Sequence, residues 1–141
     1  MITNERQYQI TQAQAAKFRE ALAAMPAEGL HPKALKAMRD GARSQLAELE
    51  EQLAEYENLR NGGVRSLNVD SITAIGDALV KARIIRRLTQ KALADRLALA
   101  EQQIQRYEAT EYQAASFERV REIMRVLGVK LRRPAALRLA F

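Results

Sequence analysis

Apolar residues recur every three or four positions in the first stretch of the chain. Ala15, Phe18, Leu22 and Met25 fall on one stripe of a helix, and Thr11 precedes them as a candidate N-cap. Pro26 and Pro32 follow, and proline is rejected from helix interiors. The pattern therefore predicts a helix over residues 11–25 and a turn after it.

A second apolar stripe lies between Pro32 and the sequence Asn61-Gly62-Gly63. Beyond Leu35, its positions are separated by steps of 4, 3, 4 and 3, which is a heptad seam of about two repeats: Ala42, Leu46, Leu49, Leu53 and Tyr56. We expect residues 1–60 to form a helical hairpin that packs against itself, against the rest of the chain or against a second copy. The seam is equally compatible with a purely intramolecular role and with an arm for dimerisation or partner binding.

Glycine and proline also mark the boundaries in the remaining chain. Asn61-Gly62-Gly63 begins a linker over 61–70, a second domain is expected over 71–131, and a basic and apolar tail over 132–141 contains Pro134. In the tail, Leu137, Leu139 and Phe141 could pack on the hairpin. Val, Ile, Thr and aromatic residues do not cluster in alternating runs, so the fold is predicted to be all-α.

Residues 90–108, QKALADRLALAEQQIQRYE, have the pattern of two short helices that cross over a shared apolar face. Leu93 and Leu97 are one turn apart on the first helix, with the small Ala94 between them. Ile104 and Tyr107 place the second helix on the first, and Leu99 fills the turn. Thr89 precedes the segment as a candidate N-cap.

Read from Leu88 to Glu108, LTQKALADRLALAEQQIQRYE resembles the Xre family of lambda-repressor-like helix-turn-helix regulators. The resemblance extends over about 72–131 and implies a five-helix DNA-binding domain. Two positions depart from the family pattern. Ala98 replaces the usual turn glycine, which costs about 1–2 kcal/mol if φ is positive there. Ala100 replaces the usual hydroxyl cap, which Glu101 can partly offset through the helix dipole.

The resemblance also implies which residues meet DNA. In this class the second helix lies in the major groove and reads base edges, here with Glu101, Gln102, Gln105 and Arg106. Without the motif, the same side chains would be the solvated face of a short helix.

Contacts to phosphate are expected from residues around the first motif helix and from one flank of the second: Gln90, Lys91, Gln103, Arg83, Arg86 and Arg87. The alternative for some of the arginines is an ion pair with Asp77, Asp95 or Glu108, and the glutamate of the RYE sequence tends to be structural in this family.

Charge supports a polyanion partner. Residues 1–60 hold 8 Lys and Arg against 9 Asp and Glu, whereas residues 61–141 hold 15 against 8. There is no cysteine and a single histidine, His31, beside Pro32 at a helix start. We therefore expect no metal, no cofactor and no enzyme activity. No apolar run of about 18 residues could cross a bilayer, so a cytoplasmic, nucleoid-associated protein is expected.

The expected function is sequence-specific binding of double-stranded DNA by a homodimer, because one short recognition helix reads few bases. Such a protein would repress transcription by occluding a promoter. The alternative is an antitoxin, similar to those of the HigA kind, that binds a toxin protein and represses its own operon.

Overall fold

In the computed structural model, residues 1–25, 29 and 31–132 can be described, and they contain six α-helices and no strand. The all-α prediction is confirmed. The helices are α1 (Glu5–Ala24), α2 (Pro32–Arg60), α3 (Ala74–Ile85), α4 (Gln90–Arg96), α5 (Glu101–Ala109) and α6 (Phe117–Leu127). The expectations for Pro26, for Pro134 and for the tail with Leu137, Leu139 and Phe141 lie outside the described residues. The chain divides into two units, Met1–Arg65 and Ser66–Phe141.

The first helix begins earlier than the sequence pattern indicated, and Thr11 is not its N-cap. Asn4 caps α1 by accepting a hydrogen bond on Oδ1 from the backbone N–H of Gln7 at 2.9 Å. The Gln7 side chain in turn accepts from the backbone N–H of Thr3 at 2.8 Å. Thr11 is 8% exposed and faces α2. The prediction failed because a polar residue occupies a buried position on the apolar stripe.

The second helix begins as predicted. Pro32 is its first residue, where a missing N–H costs nothing. His31 is the N-cap, and its Nδ1 accepts a hydrogen bond from the backbone N–H of Lys33 at 3.3 Å. The histidine therefore has a structural task at a helix start.

Ion pairs show that α1 and α2 run antiparallel. Arg60 bonds Glu5 at 2.6 Å near one end of the hairpin, and Arg19 bonds Glu50 at 2.8 Å further along. Of the predicted seam, Leu53 and Tyr56 are buried, whereas Ala42, Leu46 and Leu49 are half-buried. The rings of Tyr8 and Tyr56 stack at 5.2 Å, and these residues are buried in this unit: Ile2, Thr11, Ala15, Leu53, Tyr56 and Leu59.

The second unit is built around the side chains that α3, α4, α5 and α6 turn inward. The largest of them are 0–1% exposed: Leu79, Val80, Leu93, Ile104, Ile123 and Leu127. The expected fifth helix is not among the described residues of this unit. Residues 110–115 form turns, and Ser116 then caps α6 by accepting from the backbone N–H of Arg119 at 3.2 Å.

Four helix ends in this unit use the same left-handed turn. In each, a residue one or two positions beyond the helix has φ between 48° and 65°, and its N–H and the next one bond back to carbonyls of the last turn, as in a Schellman motif: Arg87, Ala98, Glu111 and Gly128. Three of the four are not glycine. Because left-handed backbone is unfavourable for L-residues, these turns cost stability.

Gly76 explains how α3 approaches the end of α5. A Cβ built on Gly76 would lie 1.8 Å from the carbonyl oxygen of Glu111. A side chain is therefore excluded there, and the two backbones come closer than any other residue would allow.

Candidate nucleic-acid interface

Helices α4 and α5 form a helix-turn-helix because their facing side chains are apolar and small. Leu93 and Ile104 are 0% exposed, and Ala94 is 1% exposed. Thr89 caps α4 by accepting on Oγ1 from the backbone N–H of Ala92 at 3.0 Å, as predicted. The turn between the helices contains Ala98 at φ 53°. Because this φ is positive, the predicted loss of stability from alanine in place of glycine applies to the turn.

The start of α5 also agrees with the sequence. Ala100 is its N-cap and makes no side-chain cap hydrogen bond. Glu101 occupies the first turn, where a negative charge is favourable next to the helix dipole. Its Oε1 is 3.5 Å from Nε2 of Gln105, at the limit of a hydrogen bond.

One face of α5 is buried and the opposite face is exposed. Ile104 and Glu108 are buried, whereas Gln102, Gln105 and Arg106 are exposed. At 100° per residue, these three side chains fall within about 100° of one another around the helix axis. The exposed face is therefore a compact set of two amides and one guanidinium.

Two of these side chains are unengaged. Within the described part of the chain, Gln102 and Arg106 make no side-chain hydrogen bond and no ion pair. Gln103 lies at the flank of this face and is half-buried. Because the amide of Gln102 and the guanidinium of Arg106 bond no described residue, they are available to an external partner.

Beneath the exposed face, Glu108 joins α5 to α3 and α4. Its two carboxylate oxygens accept from Arg83 at 2.5 Å and 2.7 Å, and Oε2 also accepts from Nε2 of Gln90 at 2.8 Å. Arg83 donates further to the carbonyl of Leu88 at 2.9 Å. The side chains of Arg83 and Glu108 are 3% and 2% exposed. This network orients α5 on the rest of the domain.

This geometry contradicts the predicted phosphate contact of Arg83. A guanidinium that is buried and bonded to a carboxylate and a carbonyl cannot reach a phosphate in solvent. Gln90 is 7% exposed and its side chain bonds the same carboxylate, so a phosphate contact here would have to come from the backbone N–H groups at the start of α4, and it stays a prediction. The alternative, in which an arginine pairs with Glu108, is confirmed for Arg83.

The remaining candidates for phosphate lie at the surface. Arg86 donates from Nε to the carbonyl of Leu127 at 3.0 Å and so caps the end of α6. Arg87 is exposed at the left-handed end of α3. Lys91 pairs with Asp95 at 3.0 Å while its side chain stays 67% exposed. The hydrogen bond to Asp95 and the charge of Asp95 raise the pKa of Lys91. Its phosphate contact stays a prediction.

Sequence reasoning missed Tyr112, a core residue in the turn after α5. The residue is 4% exposed, and its ring stacks on Tyr107 at 6.1 Å. Its hydroxyl is buried and makes no hydrogen bond within the described residues. Burial, and after it the charge of Glu108, raises the pKa of this hydroxyl. Nothing in the helical periodicity marks a turn residue as core.

One comparison with known protein families agrees with this geometry. Residues 79–133 match the protein-family model described as helix-turn-helix. The matched segment begins within α3 and runs beyond α6, so it contains both motif helices and the Glu108 network. No curated protein and no solved structure shows significant similarity to the chain. The match supports a helix-turn-helix domain of the kind found in DNA-binding transcription regulators.

Residues 1–25, 29 and 31–132 contain no cluster of three or more metal-ligating side chains. Within the same part of the chain, no helix combines the length and the hydropathy needed to span a membrane.

Proposed function

We propose that the protein is a sequence-specific repressor that reads double-stranded DNA with α5. The observation that carries the proposal is the exposed face of α5, where Gln102 and Arg106 have no partner among the described residues. The buried network around Glu108 holds that face in one orientation. Helices of such motifs enter the major groove, which admits one α-helix.

The side chains on α5 have the chemistry of base readers. The Gln102 amide can bond N6 and N7 of adenine together, and the Arg106 guanidinium can bond O6 and N7 of guanine. Gln105 adds a second amide, and Glu101 can accept from N4 of cytosine. Each good bidentate contact discriminates against the wrong base by about 1–3 kcal/mol.

Contacts to the sugar-phosphate backbone would fix the register of α5 on the duplex. Lys91 is the best placed cation, because it lies in the first turn of α4 and its side chain is 67% exposed. Arg87 and Gln103 would flank it. Arg86 would contribute its charge from the end of α6, where its Nε is already bonded to Leu127.

The active form would be a homodimer in the nucleoid. A single nine-residue recognition helix spans few base pairs, and two copies on half-sites about one helical turn apart would double the contacts. Bound across a promoter, the dimer would exclude the polymerase without a cofactor or any chemistry.

The test is a titration of the purified full chain against the DNA upstream of its own gene and against a shuffled duplex, at physiological salt. The proposal predicts binding at least 1000-fold tighter to the native duplex, the lower end of the usual specificity range. Equal, weak binding to both duplexes would contradict it. If a small protein also co-purified in stoichiometric amount, the antitoxin alternative would take its place.

A further inference from the structure

The near-neutral charge of the hairpin conceals a strong segregation along α2. The first twelve residues of the helix, 32–43, contain four Lys and Arg and one Asp. The next fifteen, 44–58, contain no Lys or Arg and five Glu. A helix with mixed charges throughout would be an ordinary solvated surface, whereas this one has a basic end and an acidic end.

The four cations share one side of the helix. At 100° per residue, Lys33, Lys36, Arg39 and Arg43 fall within an arc of about 120°. We call this set the α2 basic stripe. Ten residues separate its ends, which corresponds to about 15 Å along the helix axis. Asp40 lies on the same arc and removes one charge.

The stripe is not used to stabilise the hairpin. Lys33, Lys36 and Arg43 are exposed and Arg39 is half-buried. Their side chains have no hydrogen bond or ion pair with any described residue. By contrast, Arg19 and Arg60 elsewhere in the hairpin pair with Glu50 and Glu5. Asp40 is the one carboxylate on the same arc, and no ion pair within the described structure offsets the cost of gathering the four like charges.

We infer that the α2 basic stripe is a second DNA contact, which binds the phosphate backbone of the same duplex beside the base pairs that α5 reads. This inference rests on the proposed function. A duplex carries one negative charge per about 1.7 Å, so 15 Å of it presents about nine phosphates to four cations. The stripe reads no sequence, because contacts to phosphate are the same for every base pair. Its effect is on affinity for every duplex.

The chain between the two units is long enough for both to reach one duplex. Residues 61–73 contain no helix. Asn61, Gly62 and Gly63 bond back to α2, and Ala74 bonds Ser71, so residues 64–70 are the described part of this segment without a backbone hydrogen bond. When extended, these seven residues span roughly 24 Å, which is about seven base pairs along the duplex. The acidic turns of α2 that follow the stripe would be repelled by phosphate, which limits the contact to the beginning of the helix.

The test compares two double variants of the full chain, each of which removes two positive charges from the hairpin. Lys36→Gln with Arg43→Gln removes two members of the stripe, seven residues apart on one face. Arg6→Gln with Lys17→Gln is the control on α1, since both residues are exposed and have no described partner. Glutamine keeps the helix propensity of the residues replaced, and circular dichroism confirms that both variants fold.

Binding to the native upstream duplex and to a shuffled duplex is measured between 50 and 300 mM salt. For the stripe variant we expect the slope of log K against log salt to become shallower by about 1.8 on both duplexes, from two lost contacts at about 0.9 each. The ratio of the two affinities should not change. The control variant should keep the wild-type slope.

A stripe variant with the wild-type slope would overturn the inference and leave the proposed function intact, with an acidic protein surface as the alternative partner. An equal change in the control variant would also overturn it, because the effect would then be one of net charge. Failure of the wild type to prefer its own upstream duplex would instead contradict the proposed function itself.

Discussion

The buried Arg83–Glu108 pair gives the sharpest stability prediction. Replacing Glu108 with alanine removes three hydrogen bonds at 2.5, 2.7 and 2.8 Å and leaves a guanidinium buried with a side chain 3% exposed. Breaking a buried pair from one side costs about 3–5 kcal/mol, since the remaining charge has lost its compensation. Domains of this size have a free energy of unfolding of about 5–15 kcal/mol, so Glu108→Ala would remove a large part of it.

The assay follows the second unit alone. Hydrogen exchange of peptides from residues 74–132, combined with urea denaturation, reports the free energy of opening of that unit. Glu118→Ala on the exposed first turn of α6 is the matched control, and it should change stability by no more than about 0.5 kcal/mol. DNA affinity should fall in the Glu108 variant, because the carboxylate orients α5.

A third variant separates charge from packing. Arg83→Met combined with Glu108→Leu replaces the pair by apolar side chains of similar volume, and such replacements are often neutral or stabilising. We expect most of the lost stability to return. If Glu108→Ala cost no more stability than Glu118→Ala, the pair would contribute nothing that solvent could not replace, contrary to this prediction.

Three further substitutions test the backbone and the core. Ala98→Gly should stabilise the second unit by about 0.5–1 kcal/mol in urea denaturation, because φ 53° suits glycine; a loss of stability would contradict the left-handed turn. Gly76→Ala should destabilise it by about 1–3 kcal/mol through the clash with the Glu111 carbonyl. The comparison is Gly41→Ala in α2, where a Cβ meets nothing within 4 Å and stability should rise; equal effects would disprove the close approach. Tyr112→Phe should leave stability at pH 7 unchanged or up to about 1 kcal/mol higher, since the lost hydroxyl has no described partner. Above pH 10 the unfolded tyrosine ionises while burial keeps the folded one protonated, so the wild type should lose about 1.4 kcal/mol per pH unit relative to the phenylalanine variant, and parallel pH curves would argue against the raised pKa.

The second unit could be predicted well because its signals are local. Thr89 as a cap, Leu93 and Ile104 as core, and Ala98 as the turn residue each depend on neighbours within a few positions. Periodicity also separated the buried Ile104 from the exposed Gln102 on the same helix. These features follow from which residues share a helix face, and that is fixed by sequence spacing.

Long-range contacts could not be predicted in the same way. Arg83 and Glu108 are 25 residues apart, and a surface arginine and a buried one have the same local pattern. Thr11 was wrongly predicted to be the N-cap of α1, because a polar residue on an apolar stripe resembles a helix boundary. The basic end of α2 was hidden by counting charge over 60 residues, although its three- and four-residue spacing is visible in the sequence.

Arg106 on α5 is proposed to read a base, and one pair of variants tests this role directly. Arg106→Ala and the matched Arg121→Ala, an exposed arginine on α6, are titrated against the native upstream duplex and the shuffled one. We predict that Arg106→Ala loses about 1–3 kcal/mol on the native duplex and much less on the shuffled one, whereas Arg121→Ala changes both alike. If Arg106→Ala weakened both duplexes equally, Arg106 would contact phosphate or nothing, and α5 would not read DNA through this residue.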